Sequence, residues 1–357
     1  MAKVMVAMSG GVDSSVAAAL EVEAGHDVTG VTLKLWGGES DSGCCSVSDV
    51  DDARRVAQQL GIAHHVFNFG DDFDRHVVEP YVRSHLTGST PNPCVECNRH
   101  IKFDRLLERA RVLGFDHLVT GHHVNLVNTI DGPRLARSAD AGKDQSYVLH
   151  MLTERELAMC RFPLGPMTKD EVRAHAGRLG LRTAGKPDSQ DVCFITSTGG
   201  RVDFLGRRGE LHEGELVDTD GVVVGTIPHV ELVTIGQRRG LDLGGSGDRR
   251  YAVSVDVPRR RVVVGTADDL LEPSVALEPP VWTGSPVSGR LHAQVSAHGR
   301  PSAGHLDGTT FTWERPQRRV APGQSVVFYR EDLDVGQYVV GGAIVRPAAS
   351  DVAPGES

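Results

Sequence analysis

Aromatic residues make up only 5% of these 357 residues, with 3 tryptophans, 5 tyrosines and 10 phenylalanines, which argues against a broad platform for stacking nucleic-acid bases. No run approaches the ~18 consecutive apolar residues of a membrane span. The opening MAKVMVAMSGG meets glycine before it can build the apolar stretch of a signal peptide. A cytoplasmic protein without a membrane partner is the expectation. Positive charge is also scarce: 38 Lys and Arg stand against 47 Asp and Glu, for a formal net charge of −9. That balance argues against indiscriminate nucleic-acid binding and leaves such binding to local patches. Lysine occurs only at Lys3, Lys34, Lys102, Lys143, Lys169 and Lys186. The lysine-bearing GxxxxGK[ST] phosphate loop is missing, and so is a second CxxC.

What is present is an ordinary globular composition, 39% hydrophobic and 24% charged, at a length suited to two or three domains. The six cysteines, Cys44, Cys45, Cys94, Cys97, Cys160 and Cys193, sit in a chain without a secretory signal. In a reducing compartment clustered thiols are more often catalytic or metal-binding than stapling.

Residues 3–8 (KVMVAM) read as a short buried strand, SGGVDSS as a glycine turn, and VAAALEVEAG as a helix ended by Gly25. DVTGVTLKLW, HHVFNF and FDHLVTGHH repeat the strand signal, with VDDARRVAQQLG and IKFDRLLERARVLG as intervening helices. This alternation predicts an α/β unit whose parallel sheet is covered on both faces. After MTKDEVRAHAGRLGL and DSQDVCFI the alternation stops. GELVDTDGVVVGTI, RYAVSVDVPRRRVVVGT, RLHAQVSAHG and SVVFYREDLDVGQYVVGGAIV then read as strands of small β-barrels or sandwiches. Boundaries fall near 196–200 and near 268–280, where the prolines of LLEPSVALEPPVW break the pattern. The expected division is 1–198, 199–270 and 271–347, with 348–357 a disordered tail.

The loop Ser9-Gly10-Gly11-Val12-Asp13-Ser14-Ser15 lies between the first strand and the first helix. Backbone N–H groups and hydroxyls at a helix N-terminus stabilise an anion, so a phosphate is expected there. Glycine lets the backbone approach it closely, and Asp13 is a candidate magnesium ligand. The run resembles the pyrophosphate-binding loop of the ATP pyrophosphatases, which split ATP to AMP and pyrophosphate while adenylating a substrate oxygen. Several reactions share that loop, so the nucleophile must come from elsewhere. Cys97, in Thr90-Pro91-Asn92-Pro93-Cys94-Val95-Glu96-Cys97-Asn98, is read as lying near the start of the helix IKFDRLLERA. A helix dipole there, with Arg99 and Lys102, favours its thiolate. Asp188-Ser189-Gln190-Asp191-Val192-Cys193-Phe194 presents a second thiol. Two thiols able to meet over one substrate suit sulfur transfer, one carrying a persulfide and the other closing a disulfide as the sulfur leaves.

TPNPCVECNRHIKF, GHHVN, GKDQSYVL, GKPDSQDVCFI, TIGQRRGL and APGQSVVFY, in this order over nearly the whole length, resemble the bacterial tRNA-specific 2-thiouridylase family. The resemblance implies an α/β ATP-pyrophosphatase (Rossmann-like) domain, a small linking domain and a C-terminal β-barrel that grips an anticodon arm. It implies ATP and Mg2+ as cofactors, the Lys, Glu and Gln tRNAs as substrates, and a cysteine desulfurase or sulfur-relay protein as sulfur donor. In that family O2 of wobble uridine 34 is adenylated and then replaced by sulfur from a cysteine persulfide. Carried over position by position, Cys97 is the nucleophile and Cys193 the persulfide carrier. Ala7, Met8, Ser9, Gly10, Gly11, Val12, Asp13, Ser14, Leu33 and Gly121 match ATP-contacting positions. Asn92, Pro93 and Cys94 match the segment facing the target base, and His122, Lys143, Asp144, Gln145 and Gln324 match positions that touch tRNA.

Two departures stand out. Some members carry an aspartate, a candidate general base, where this chain has Cys94. Many carry Arg-Tyr where this chain has Ser296-Ala297, which removes an RNA contact or moves it to His298 or Arg300. Closing a Cys97–Cys193 disulfide requires that their loops be adjacent or that one of them move, and movement of the segment 188–200 on tRNA binding is the expectation.

The residues themselves leave alternatives open. Cys94 and Cys97, with Cys193 or with Cys44 and Cys45, also have spacings that permit zinc or a [4Fe–4S] cluster. A cluster held by Cys94, Cys97 and Cys193 would give the same product by another route. A ligase or amidotransferase acting on a small molecule would share the loop and leave both thiols idle. A noncatalytic tRNA- or metal-binding module would leave the loop unexplained. Cys160, beside Leu157 on a helical pattern, reads as packing, and His123 as scaffold. Arg207-Arg208, Arg238-Arg239, Arg249-Arg250 and Arg259-Arg260-Arg261 read as solvated faces or phosphate contacts.

Overall fold

A computed structural model of the chain describes residues 1–35, 47–188, 192–195, 200–241, 243 and 249–347. Cys44, Cys45 and the expected tail 348–357 lie outside the described residues. The first unit begins with β1 (Lys3–Ala7), α1 (Val12–Glu23), β2 (Asp27–Lys34), α2 (Val47–Leu60) and β3 (Ala63–Asn68). Gly25, at φ +75°, ends α1 in the left-handed conformation that glycine adopts without steric cost. Next come α3 (Gly70–Phe73) and α4 (Glu79–Leu86), joined through the π-wound Asp74–Val78. A second helical run joins α5 (Pro93–Glu96) to α6 (Leu107–Val112) through the π-wound Cys97–Leu106.

β4 (His117–Val119), the hairpin of β5 (Asn125–Thr129) and β6 (Gly132–Ala136), α7 (Glu154–Leu157), β7 (Cys160–Arg161) and α8 (Lys169–Arg178) follow. The sheet runs β3-β2-β1-β4-β7 with all neighbours parallel. Side chains alternate across a strand, so β1 feeds two cores. Val4 and Val6 pack with Val16, Val56 and Val172 on one face, while Met5 belongs with Phe103, Leu118 and Tyr147 on the other. Thr168 caps α8 by accepting from the Glu171 N–H at 3.3 Å, and the Glu171 carboxylate accepts from the Thr168 N–H at 2.7 Å.

A short helix, α9 (Gly200–Gly206), leads into β8 (Gly214–Val217), β9 (Val223–Ile227), β10 (Tyr251–Asp256) and β11 (Arg261–Gly265). These form a separate sheet, ordered β10-β11-β8-β9, around Leu216, Ile227, Ala252 and Val262. The C-terminal barrel holds β12 (Leu271–Ala276), β13 (Val281–Trp282), β14 (Gly289–Gln294), β15 (Ser302–Asp307), β16 (Thr310–Arg318), β17 (Ser325–Asp332) and β18 (Gly336–Ile344).

Three local features refine the sequence reading. The prolines of LLEPSVALEPPVW fall in two places: Pro273 sits in the edge strand β12, whose register against β16 slips between Glu272 and Ser274, and Pro279 and Pro280 lie between β12 and β13. Edges and bulges are where a strand tolerates a residue without an N–H. Cys160 lies on β7 rather than on a helix, and burial pushes its thiol pKa far up, which suits a packing residue. Finally, the first unit lends the β5–β6 hairpin to the barrel, where Ala136 pairs with Tyr338 of β18.

Candidate active site

A cavity of about 580 Å³ opens beyond the carboxyl ends of β1 and β4, where ligands sit in open α/β sheets. On one side lies the loop between β1 and α1. The Ser14 hydroxyl accepts from the Ser9 N–H at 3.1 Å and donates to the Gly11 carbonyl at 3.2 Å, and Ser15 Oγ donates to that carbonyl at 2.8 Å. These bonds hold the turn open while the first N–H groups of α1 stay without partners inside the helix. Two glycines are fixed by close contact. A Cβ on Gly10, at φ +75°, would sit 2.3 Å from the Asp49 carbonyl oxygen, and one on Gly121 would sit 2.7 Å from the Ser14 nitrogen.

Ala7, Met8, Ser9, Asp13, Ser14, Leu33 and Gly121 line this cavity. So do Cys97 and Cys193, with Pro93, Cys94, His122, Lys143, Asp144 and Gln145. Gly10, Gly11, Val12, Asn92 and Gln324 do not. Asn92 instead caps α5, its side-chain oxygen accepting from the Cys94 N–H at 3.0 Å and the Val95 N–H at 3.4 Å. Gln324 Nε2 donates to the Thr90 carbonyl, and the Thr90 N–H donates to the Pro322 carbonyl at 2.8 Å, so a barrel loop grips the segment ahead of the cysteines.

The helix carrying Cys97 starts earlier than the sequence reading put it. Asn92 is the cap and Pro93 the first helical residue, so Cys94 lies in the first turn and Cys97 one turn further in. The dipole falls off within that first turn, so Cys97 lies beyond the turn where the sequence reading placed it. Cys94, Cys97 and Cys193 are all half-buried.

A charged cluster that the sequence reading missed closes the other side. Lys169 Nζ, with its side chain only 10% exposed, lies 2.7 and 2.8 Å from the two carboxylate oxygens of Asp13 and 2.9 Å from Asp188 Oδ1. Lys143 Nζ reaches Asp188 Oδ2 at 2.8 Å, and Arg173 Nη2 reaches Oδ1 at 2.7 Å. Burial raises the Asp188 pKa, yet Lys143 and Lys169 outweigh it and hold the carboxyl well below the usual range. Asp13 is held low in the same sense by His123 and Lys169. His122 is buried with Nδ1 2.7 Å from Thr120 Oγ1, and burial, Lys102 and His123 push its pKa well below the usual value, so it is neutral. These partners lie far apart in sequence and carry no local pattern. Capping of α8 through Thr168 was the only local sign that Lys169 opens a helix.

Over residues 2–197 the chain matches the family model for a tRNA methyl transferase HUP domain, over 202–266 a tRNA methyl transferase PRC-barrel domain, and over 274–345 an aminomethyltransferase beta-barrel domain. The tRNA-specific 2-thiouridylase MnmA of Chloroflexus aurantiacus is 45% identical to it, over 97% of this chain and 99% of the relative. That of Mycobacteroides abscessus is 46% identical, over 96% of this chain and 99% of the relative. The chain belongs to the tRNA-specific 2-thiouridylase family. As a tRNA-specific 2-thiouridylase family member it departs from the reading of a ligase or amidotransferase for small molecules.

Two inorganic groups can be tested against this 2-thiouridylase site. Among the described residues no group of three or more His, Cys, Asp or Glu side chains is placed to hold a metal ion. No step is therefore routed through an iron–sulfur cluster on Cys94, Cys97 and Cys193. Asp13, the candidate magnesium ligand, has both oxygens engaged by Lys169 and Oδ1 also 3.2 Å from His123 Nε2. The carboxylate is thus committed within the protein, and magnesium is better treated as part of the bound nucleotide.

Proposed function

We propose that this chain replaces O2 of wobble uridine 34 by sulfur in the Lys, Glu and Gln tRNAs, giving 2-thiouridine while consuming ATP and releasing AMP and pyrophosphate. One observation carries the reading: Cys97 and Cys193, from distant segments, line the same cavity as the Ser9–Ser14 loop. ATP enters as its magnesium complex with the pyrophosphate against that loop. Uracil O2 attacks the α-phosphorus and pyrophosphate leaves, which turns a poor leaving group into AMP. The terminal sulfur of a Cys193 persulfide attacks C2, and AMP departs with the C2–O2 bond pair. The Cys97 thiolate then attacks Cys193 Sγ, and the broken S–S bond's electrons go to the transferred sulfur as the thiocarbonyl forms. A Cys97–Cys193 disulfide remains, to be reduced before a cysteine desulfurase or sulfur-relay protein reloads Cys193.

A disulfide needs Cα atoms roughly 4.4–6.8 Å apart; the expected movement of 188–200 on tRNA binding concerns a segment of which 189–191 and 196–199 lie outside the described residues. Protection of the segment from protease by tRNA is the expected sign. The working division 1–198, 199–270 and 271–347 is supported by the middle sheet, whose strands all lie within 199–270, while the barrel sheet draws β5 and β6 from the first unit. Among the described residues no helix is long and apolar enough to cross a membrane, in keeping with a cytoplasmic tRNA enzyme.

The decisive experiment incubates unmodified lysine tRNA with ATP, magnesium, cysteine and a cysteine desulfurase, and follows AMP and nucleoside masses. Wild type should form 2-thiouridine, and Cys97→Ser and Cys193→Ser should not. AMP formation that ignores tRNA, with no thiouridine, would sink the reading.

A further inference from the structure

The proposed chemistry leaves one charged network without a role. Arg137 stands where the chain leaves the barrel sheet after β6 and turns back toward Lys143, Asp144 and Gln145 at the cavity. Its guanidinium stacks on the Tyr329 ring, with Cζ 3.8 Å from the ring centre. Nη1 donates to Asp144 Oδ2 at 2.8 Å, to Tyr329 OH at 3.2 Å and to Ser146 Oγ at 3.3 Å. Nη2 donates to Gln294 Oε1 at 2.7 Å. Gln294 is 1% exposed, and its Nε2 donates to the carbonyls of Ser296 and Ala297 at 2.8 and 3.2 Å. The amide orientation is set from both ends, because only its oxygen can accept from arginine and only its nitrogen can donate to carbonyls. Beyond Ala297 comes His298, exposed to solvent and lining the cavity. One guanidinium therefore fixes two walls of the mouth, Asp144 from the first unit and the Ser296–His298 loop from the barrel.

We propose that His298 contacts the RNA at the mouth of this cavity and that Arg137, acting through Gln294, is the residue that positions it. The proposal rests on the thiouridylase reading. A short exposed loop beside a glycine would otherwise have to be ordered when RNA binds, and two carbonyl tethers remove much of that cost in advance. An imidazole held there can donate to a phosphate or base edge, or stack on an unpaired base, the ways in which proteins read single-stranded RNA loops. Lysine cannot replace Arg137, since an ammonium lacks the planar fork that stacks on Tyr329 while serving Asp144 and Gln294.

The test measures KM for tRNA and for ATP, with tRNA binding read by fluorescence anisotropy, in His298→Ala, Gln294→Glu and the double variant. Gln294→Glu keeps an acceptor for Arg137 and loses the donor to the loop. Each single change should raise KM for tRNA about tenfold, the weight of one charged or well-placed hydrogen bond, with KM for ATP unchanged. The double variant should be no worse than the worse single one, because both remove the same contact. Arg137→Lys should resemble Gln294→Glu. Additive losses, or an unchanged KM for tRNA in His298→Ala, overturn the proposal while leaving 2-thiouridine formation by wild type intact. Should Gln294→Glu fail to fold, His298→Ala, a change at the exposed surface, still decides. A wild type that neither binds tRNA nor forms AMP overturns the thiouridylase reading and this inference with it.

Discussion

The Lys169 ammonium holds both carboxylate oxygens of Asp13, at 2.7 and 2.8 Å, although the two residues are 156 positions apart. Replacing it by methionine leaves Asp13 and Asp188 facing the cavity without their shared cation, just where the proposed triphosphate must enter. Lys169→Met should lower tRNA-dependent pyrophosphate release on the order of a hundredfold, comparable to losing one preorganised charge-stabilising group. Release at the wild-type rate would remove Lys169 from the nucleotide site.

Stability should fall in two pH windows. His85 and His150 are buried, and burial lowers both from the ordinary 6.5 to about 4. They stay neutral in the fold and gain a proton more readily when unfolded. Their contribution is present above pH 6.5 and is lost as pH falls toward 4, by up to about 1.4 kcal/mol per pH unit for each histidine. Asp13 and Asp188 work the other side of that window, being held below their ordinary 3.8. Their stabilisation is present above that value and disappears as pH falls through their lowered values. Urea titrations from pH 8 to 2 should show a first decline that His150→Gln makes shallower, and below the ordinary 3.8 the onset of a second that Lys169→Met weakens.

Gly121→Ala should damage the nucleotide loop without touching a reacting group. The added methyl carbon would lie 2.7 Å from backbone atoms of Asp13 and Ser14, and neither can move without shifting the start of α1. The expected cost is about 1–3 kcal/mol of stability, together with a raised KM for ATP. A chemical-denaturation curve and an ATP titration check the two effects separately.

Gln324→Ala removes the side-chain bond by which the barrel holds Thr90. The backbone bond from Thr90 to Pro322 remains, so the loss should be modest, about 1 kcal/mol. Hydrogen exchange over 90–98 should quicken, since that segment starts the helix bearing both Cys94 and Cys97. Unchanged exchange there would restrict Gln324 to direct RNA contact.

The strand, glycine turn and helix at the start were legible because each has a local cause: alternating valines, a glycine-rich turn, and a run of alanines closed by Gly25. The start of the cysteine helix was legible too, in Asn92 as cap and Pro93 at the first position, but the apolar spacing of IKFDRLLERA drew the boundary too late. Asp13, Lys169 and Asp188 come together only once three segments are packed, and nothing near any one of them in sequence names its partner. The same holds for Arg137 and Gln294, 157 positions apart. Long-range ion pairs are products of the fold, so periodicity cannot announce them. The β5–β6 hairpin carries Asp131-Gly132 at its turn, yet the sequence reading passed over it, because strand–helix alternation on either side masked the signal.

That hairpin gives the molecule a particular order of assembly. The Arg137 N–H donates to the Gln337 carbonyl across 200 positions of chain, so a strand pair made early during synthesis must wait for β18 before its edge is covered. Until then the hairpin presents an open edge of the kind that pairs with the wrong neighbour. The parallel sheet can form first from nearer contacts, while the cavity acquires its barrel wall last. A nascent chain halted before β18 would thus hold a folded nucleotide loop with no mouth to receive RNA, and the two substrates' sites would mature at different moments of translation.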